Sequence, residues 1–117
     1  MDKKIWKARI KKAYADATNH IVVGEVLEAT PLYIRMKCKA YHFKKPIQTT
    51  DKQPAGIFVS DAKVRIFPWQ VISYITELPE DFNWEEAVVE LTGRGEIILK
   101  QNETNITIKG GGGWTNQ

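Results

Sequence analysis

The sequence predicts a single, mainly β domain, α+β in detail with strands dominant, and three observations carry that expectation. Leu32 to Phe43 alternates between an apolar and a basic–aromatic face over its whole length, the period of a strand. Short β-branched runs bounded by turn residues recur from His20 to Lys109. Only two stretches, 3–17 and 83–92, carry a helical period. With 117 residues, 43% of them hydrophobic, the chain is the size of one domain, expected over 1–109 with a flexible glycine-rich tail at 110–117.

In chain order, Trp6, Ile10, Ala13, Tyr14 and Ala17 follow an apolar stripe at helical spacing, so a helix is expected over 3–17, with Lys4, Lys7 and Lys11 on another face. His20 to Ala29 reads as a strand, and Gly24 within it marks a bend or bulge. After the turn at Thr30-Pro31, the long strand sets Leu32, Ile34, Met36, Cys38 and Ala40 on one side. Tyr33, Arg35, Lys37, Lys39, Tyr41 and Phe43 fall on the other. Residues 44–56, with Lys-Lys-Pro and Gln-Pro-Ala-Gly, read as a loop. Ile57–Val59 and Val64–Phe67 read as a hairpin about Ser60–Lys63, and Pro68 bends the chain before a strand over Gln70–Leu78. Trp84, Ala87, Val88 and Leu91, with Asn83 and Glu86 as a capping box, predict a short helix over 83–92. The β-branched Val88 and Val89 keep a strand as the rival. Glu96–Gln101 and Asn105–Lys109 read as a hairpin.

The net charge of +3 divides unevenly. Residues 1–45 hold eleven Lys/Arg against four Asp/Glu, residues 46–117 hold six against ten, and Glu77–Glu90 carries six acids and no base. Such a dipolar chain steers an anionic partner or favours head-to-tail association. No apolar run follows the basic start, so no signal peptide is expected, and no stretch approaches a bilayer-spanning length. A single cysteine, Cys38, cannot form an internal disulfide, and a cytoplasmic location is the expectation. The sequons at Asn102 and Asn105 then read as plain turn and strand residues.

No catalytic, metal or cofactor site is expected. Cys38 and His42 share one side of a strand, but four residues separate them by about 13 Å. His20 reaches Cys38 only if the two strands pair in a suitable register. Metal-chelating, nucleophile-elbow and phosphate-cradling motifs are missing from the sequence. The constellation that does suggest chemistry is Tyr33-Arg35-Lys37-Lys39-Tyr41-Phe43, where cations that attract phosphates alternate with rings that stack on bases. The plain alternative is a solvent face with snorkelling lysines.

Val23-Gly24-Glu25-Val26, followed after a turn by Leu32-Tyr33-Ile34, is similar to the first Sm motif. Lys63-Val64-Arg65-Ile66-Phe67-Pro68-Trp69-Gln70-Val71-Ile72-Ser73-Tyr74-Ile75 is similar to the second. The chain thus resembles the Sm-like, SH3-like small barrels over about residues 3–78, and 83–109 forms a helix-plus-hairpin extension. The resemblance implies a barrel that assembles through its edge strands. The family's RNA-pocket residues are replaced here by Ala29-Thr30-Pro31-Leu32 and Phe67-Pro68-Trp69, so the pocket is not carried over. The expectation is a non-catalytic module that binds single-stranded nucleic acid through the aromatic–basic strand face. The rival is a protein-interaction or self-assembly module, a homo-oligomer, with no small-molecule substrate and no membrane partner.

Overall fold

The computed structural model describes residues 3–12, 19–50, 53–92, 96–101 and 103–109, with the side chains of 44–50, 53–56 and 109 outside the description. Among the described residues nine strands form two antiparallel sheets. They are β1 (Ile5–Ile10), β2 (Asn19–Ala29), β3 (Tyr33–Thr50), β4 (Gln53–Val59), β5 (Lys63–Pro68), β6 (Ile72–Leu78), β7 (Val88–Leu91), β8 (Ile97–Gln101) and β9 (Thr104–Lys109). The first sheet runs β4-β3-β2-β1-β6, with β5 also paired to β3, and the second runs β7-β8-β9.

Residues 5–10 form a central strand, not the start of the expected helix, and 13–17 lie outside the described residues. The helical signal rested on Trp6 and Ile10, four apart, and a spacing of four is even, so a strand also puts both on one side. That side joins Trp6, Ala8 and Ile10 to the core, while Ile5 and Lys7 are buried on the other. Pairing with β2 and β6 on both flanks outweighs the weak helical propensity of so short a run.

The expected loop at 44–56 is mostly strand. Backbone pairs Gln48–Ala55, Thr49–Pro54 and Thr50–Gln53 carry the ladder close to the tip, after a register shift between Phe43 and Gln48. Pro54 is tolerated because β4 lies at the sheet edge. The expected hairpin between 57–59 and 64–67 does not form. β4 and β5 instead follow one another along β3, β4 beside 41–50 and β5 beside 33–38. Ser60 N–H bonds the Ala40 carbonyl at the join, so the segment breaks the strand without reversing it.

Gly24 does not host the bulge, which falls between Val26 and Glu28. Gly24 faces Cys38 in the register, and a Cβ there would collide with the Lys37 carbonyl and lie 2.5 Å from Cys38 Cα. Its role is to let β2 approach β3 closely.

Pro68 ends β5 as expected, and a 3-10 turn, Trp69–Val71, leads into β6. That turn determines the shape of the sheet. β5 and β6 are opposite edges of the series β5-β3-β2-β1-β6, whose four inter-strand gaps would span about 19 Å if flat. The four residue steps from Pro68 to Ile72 reach at most about 14 Å, so the sheet must curl. Accordingly, residues facing one way from all five strands pack together: Ala8, Val22, Ile34, Met36, Cys38, Ala40 and Ile72, with Phe67 and Trp69 against them.

The second core lies on the outer face. Ile5, Ile21, Val23, Tyr41 and Phe43 meet Phe82, Trp84, Ala87, Ile97, Leu99 and Ile108. The short helix expected at 83–92 is replaced by a turn at 84–86 and strand β7. Val89 and Leu91 pack on this core, and the β-branched pair takes a place beside β8. The hairpin of β8 and β9 forms as expected. The fold is therefore mainly β, and no α-helix occurs among the described residues.

Candidate binding surfaces

The six residues of the basic–aromatic row keep their common side on β3, but only the first four reach open surface. Tyr41 and Phe43 are each 1% exposed, because the second sheet closes over that end of the strand. Burial pushes the Tyr41 hydroxyl up to about 12. Tyr33, Arg35, Lys37 and Lys39 remain at least partly accessible, and each has a partner. Glu28, opposite Arg35 in the register, accepts from Tyr33 Oη at 3.2 Å and pairs with Arg35 Nε at 3.3 Å. Glu85 pairs with Lys37 Nζ at 3.8 Å, and its main-chain carbonyl accepts from Lys39 Nζ at 2.7 Å. Trp84, buried beside Glu85, seats the segment that delivers these contacts.

The same outer face continues onto β5, where the register sets Val64 beside Lys37, Ile66 beside Arg35 and Pro68 beside Tyr33. Val64 and Ile66 are 54% and 58% exposed, and Leu32 in the adjoining turn is more exposed still. Among the described residues β5 hydrogen-bonds to β3 alone and β6 to β1 alone, so each leaves one strand edge unpaired. The strand alternation was legible in the sequence. The openness of the β5 edge was not, because the turn residues Ser60–Lys63 predict a hairpin between 57–59 and 64–67 that does not form.

Charge differs between the two open edges. Lys63 and Lys37 flank Val64 on the β5 side. Glu80 and Asp81 follow β6 and, with Glu25 of β2, Glu85 and Lys3, line an open cavity of about 250 Å³, and Glu77 is exposed on β6 itself.

On the inner face the register answers the question of a Cys38–His20 pair. His20 lies opposite His42 and Gly24 opposite Cys38, which separates His20 from Cys38 by four residues along the strand, about 13 Å. Burial raises the Cys38 thiol, against the pull of Arg65. Arg65 donates to the Cys38 carbonyl at 2.7 Å and to Ser60 Oγ at 2.9 Å. The His20 and His42 rings stack with centroids 4.1 Å apart. Burial first, then His42 and Arg65, hold His20 down at about 4, a neutral imidazole at ordinary pH.

On the outer face, Lys7 is 6% exposed and donates to the Thr107 carbonyl at 2.7 Å, tying β1 to β9. Its burial lowers its proton affinity. Sequence reasoning placed Lys7 on a solvated helix face, and nothing in its neighbours signalled otherwise. Among the described residues no group of three or more His, Cys, Asp or Glu could hold a metal ion, and no helix is long and apolar enough to cross a membrane.

Comparisons with protein-family models, with curated proteins and with solved structures gave no match.

Proposed function

We propose that the protein is a non-catalytic binding module on an Sm-like, SH3-like barrel, and that it works by assembling edge to edge with copies of itself. The curled series β5-β3-β2-β1-β6, with a 3-10 turn joining its edges, supports the barrel reading. The observation that carries the function is the β5 edge. On the side away from β3 it has no strand partner among the described residues, and it carries exposed Val64 and Ile66, the arrangement that pairs with another strand unless it is blocked. The complementary surface is the β6 edge of a second copy, where Glu77 on the strand and Glu80 and Asp81 after it would meet Lys63 of β5. Such a contact is heterologous and closes into a ring when the rotation permits. The compartment this reading assigns is the cytoplasm, consistent with Cys38 as a buried free thiol.

Sedimentation velocity at tens of micromolar tests the reading. The wild type is expected as a multiple of 13.4 kDa and Ile66→Lys as a single chain. A wild type that sediments at one chain mass throughout rejects assembly.

A second reading keeps single-stranded nucleic acid on Tyr33, Arg35, Lys37 and Lys39. Glu28 and Glu85 screen these cations through surface pairs worth only about 0–1 kcal/mol each, which a phosphate can displace. Replacing Arg35, Lys37 and Lys39 together by Glu is expected to abolish binding that weakens steeply with salt.

A further inference from the structure

The nucleic-acid reading needs rings as well as cations, and two of the rings in the β3 row, Tyr41 and Phe43, are buried. One exposed ring, Phe58, lies on the opposite face of the same strands, beside the half-buried rings of His20 and His42. In the register Ile10 faces His20, His20 faces His42, and His42 faces Phe58, so one rung across β1, β2, β3 and β4 carries three aromatic side chains in succession. His20 and His42 are already stacked, with 27° between their planes. Phe58 ends the row on an edge strand and is 65% exposed, the most exposed aromatic side chain among the described residues. The rung one step inward holds the small Ala8 and Ala40, with Ser60 at the join of β4 and β5. The aromatic row therefore sits at the rim of the inner core.

The surroundings of this rim are basic. Lys11 and Lys12 continue β1 past Ile10 and are exposed, and the Lys11 N–H bond to the Val71 carbonyl fixes them at this end of the sheet. Arg65 is held just inside the rim by Cys38 and Ser60. Asp61, exposed in the turn after β4, is the neighbouring carboxylate.

We propose that the His20–His42–Phe58 rung is a stacking platform for an unpaired base of single-stranded nucleic acid, with Lys11 and Lys12 holding the adjoining phosphates. This rests on the nucleic-acid reading and moves its base contacts to the inner face, away from the β3 row. A stack ending in a bare phenyl ring offers a base its flat face and no hydrogen-bond code at that ring, so the platform is tolerant of sequence. The lysines supply a salt-dependent attraction that does not depend on base identity.

The test is fluorescence anisotropy at low salt with labelled twelve-nucleotide oligo-A, oligo-U and an abasic ribose-phosphate chain of the same length. Phe58→Ala is expected to weaken binding of both base-bearing oligomers roughly 5- to 100-fold. Phe58→Trp is expected to retain binding, Lys11→Ala/Lys12→Ala to flatten its salt dependence, and the abasic chain to bind the wild type no better than oligo-A binds Phe58→Ala. Phe58 is exposed enough that its replacement leaves the fold intact, which the circular dichroism spectrum checks. Phe58→Ala bound like wild type, while the Arg35/Lys37/Lys39 triple variant loses binding, overturns the platform and leaves the β3 row as the site. Absence of binding to any oligomer overturns both.

Discussion

Replacing Trp84 by alanine removes the largest side chain that the segment after β6 contributes to the outer core. Trp84 is 5% exposed and packs in the cluster that joins Ile5, Ile21, Val23, Tyr41 and Phe43 to Ile97, Leu99 and Ile108. Truncating a buried aromatic of this kind costs about 3–5 kcal/mol, the lost transfer free energy together with the cavity left behind. At about 2.1 cal/mol/K per residue, a chain of 117 residues has an unfolding entropy near 0.25 kcal/mol/K. The midpoint should therefore fall by about 12–20 °C. Differential scanning calorimetry measures it, and a single transition in both proteins is part of the expectation, since the two sheets share this core. A midpoint within about 3 °C of wild type, or a separate low-temperature transition in the variant, would refute the reasoning. Either result would mean that the 79–109 segment is an appendage that does not stabilise the curled sheet.

Two further perturbations follow from the same packing. Gly24→Ala drives a methyl group into the backbone of Lys37 and Cys38, neither of which can yield without opening the β2–β3 ladder. It should cost about 1–3 kcal/mol or more in chemical denaturation, where an unstrained Gly→Ala would stabilise by about 0.4–1 kcal/mol. His20 is held down at about 4 in the folded chain against an ordinary value of 6.5, so the unfolded chain binds its proton first. Stability from this group is whole above pH 6.5 and declines as the pH falls toward about 4, and His20→Asn should remove that part of the pH dependence of the denaturation midpoint.

How far the sequence revealed this depends on whether a pattern is local. The inward set Ile34, Met36, Cys38 and Ala40 was legible because strict alternation admits one period, and all four are buried. Leu32 belonged to the same pattern but lies in the turn before β3 and stays exposed. The two expected helices failed for different reasons. Trp6 and Ile10 are four residues apart, a spacing that serves a helix face and a strand face alike, whereas Trp84 is buried in a turn before β7 and Val88 is exposed on β7, so the stripe they suggested has no common face. The decision came from β-branched neighbours and from strands distant in sequence. Tyr41 and Phe43 look no different from Tyr33 in the alternation. What buries them is Ile97, Leu99 and Ile108, more than fifty residues away. The unpaired edge of β5 was hidden in the same way, since Val64 and Ile66 read as hairpin residues until β3 proved to be their partner. The row from His20 through His42 to Phe58 exists only in the register of three strands.

Hydrogen exchange of the β5 amides as a function of protein concentration tests edge-to-edge assembly most directly. In an antiparallel pair about half of the amides of an edge strand point away from their neighbour, and in β5 these have no strand partner among the described residues. Amides over Lys63–Phe67 and over the open side of β6 should gain protection together as concentration rises through the range where the sedimenting mass increases, and Ile66→Lys should abolish the gain at both. Exchange at both edges that does not change with concentration while the mass grows would contradict the account, because the copies would then be meeting through some other surface.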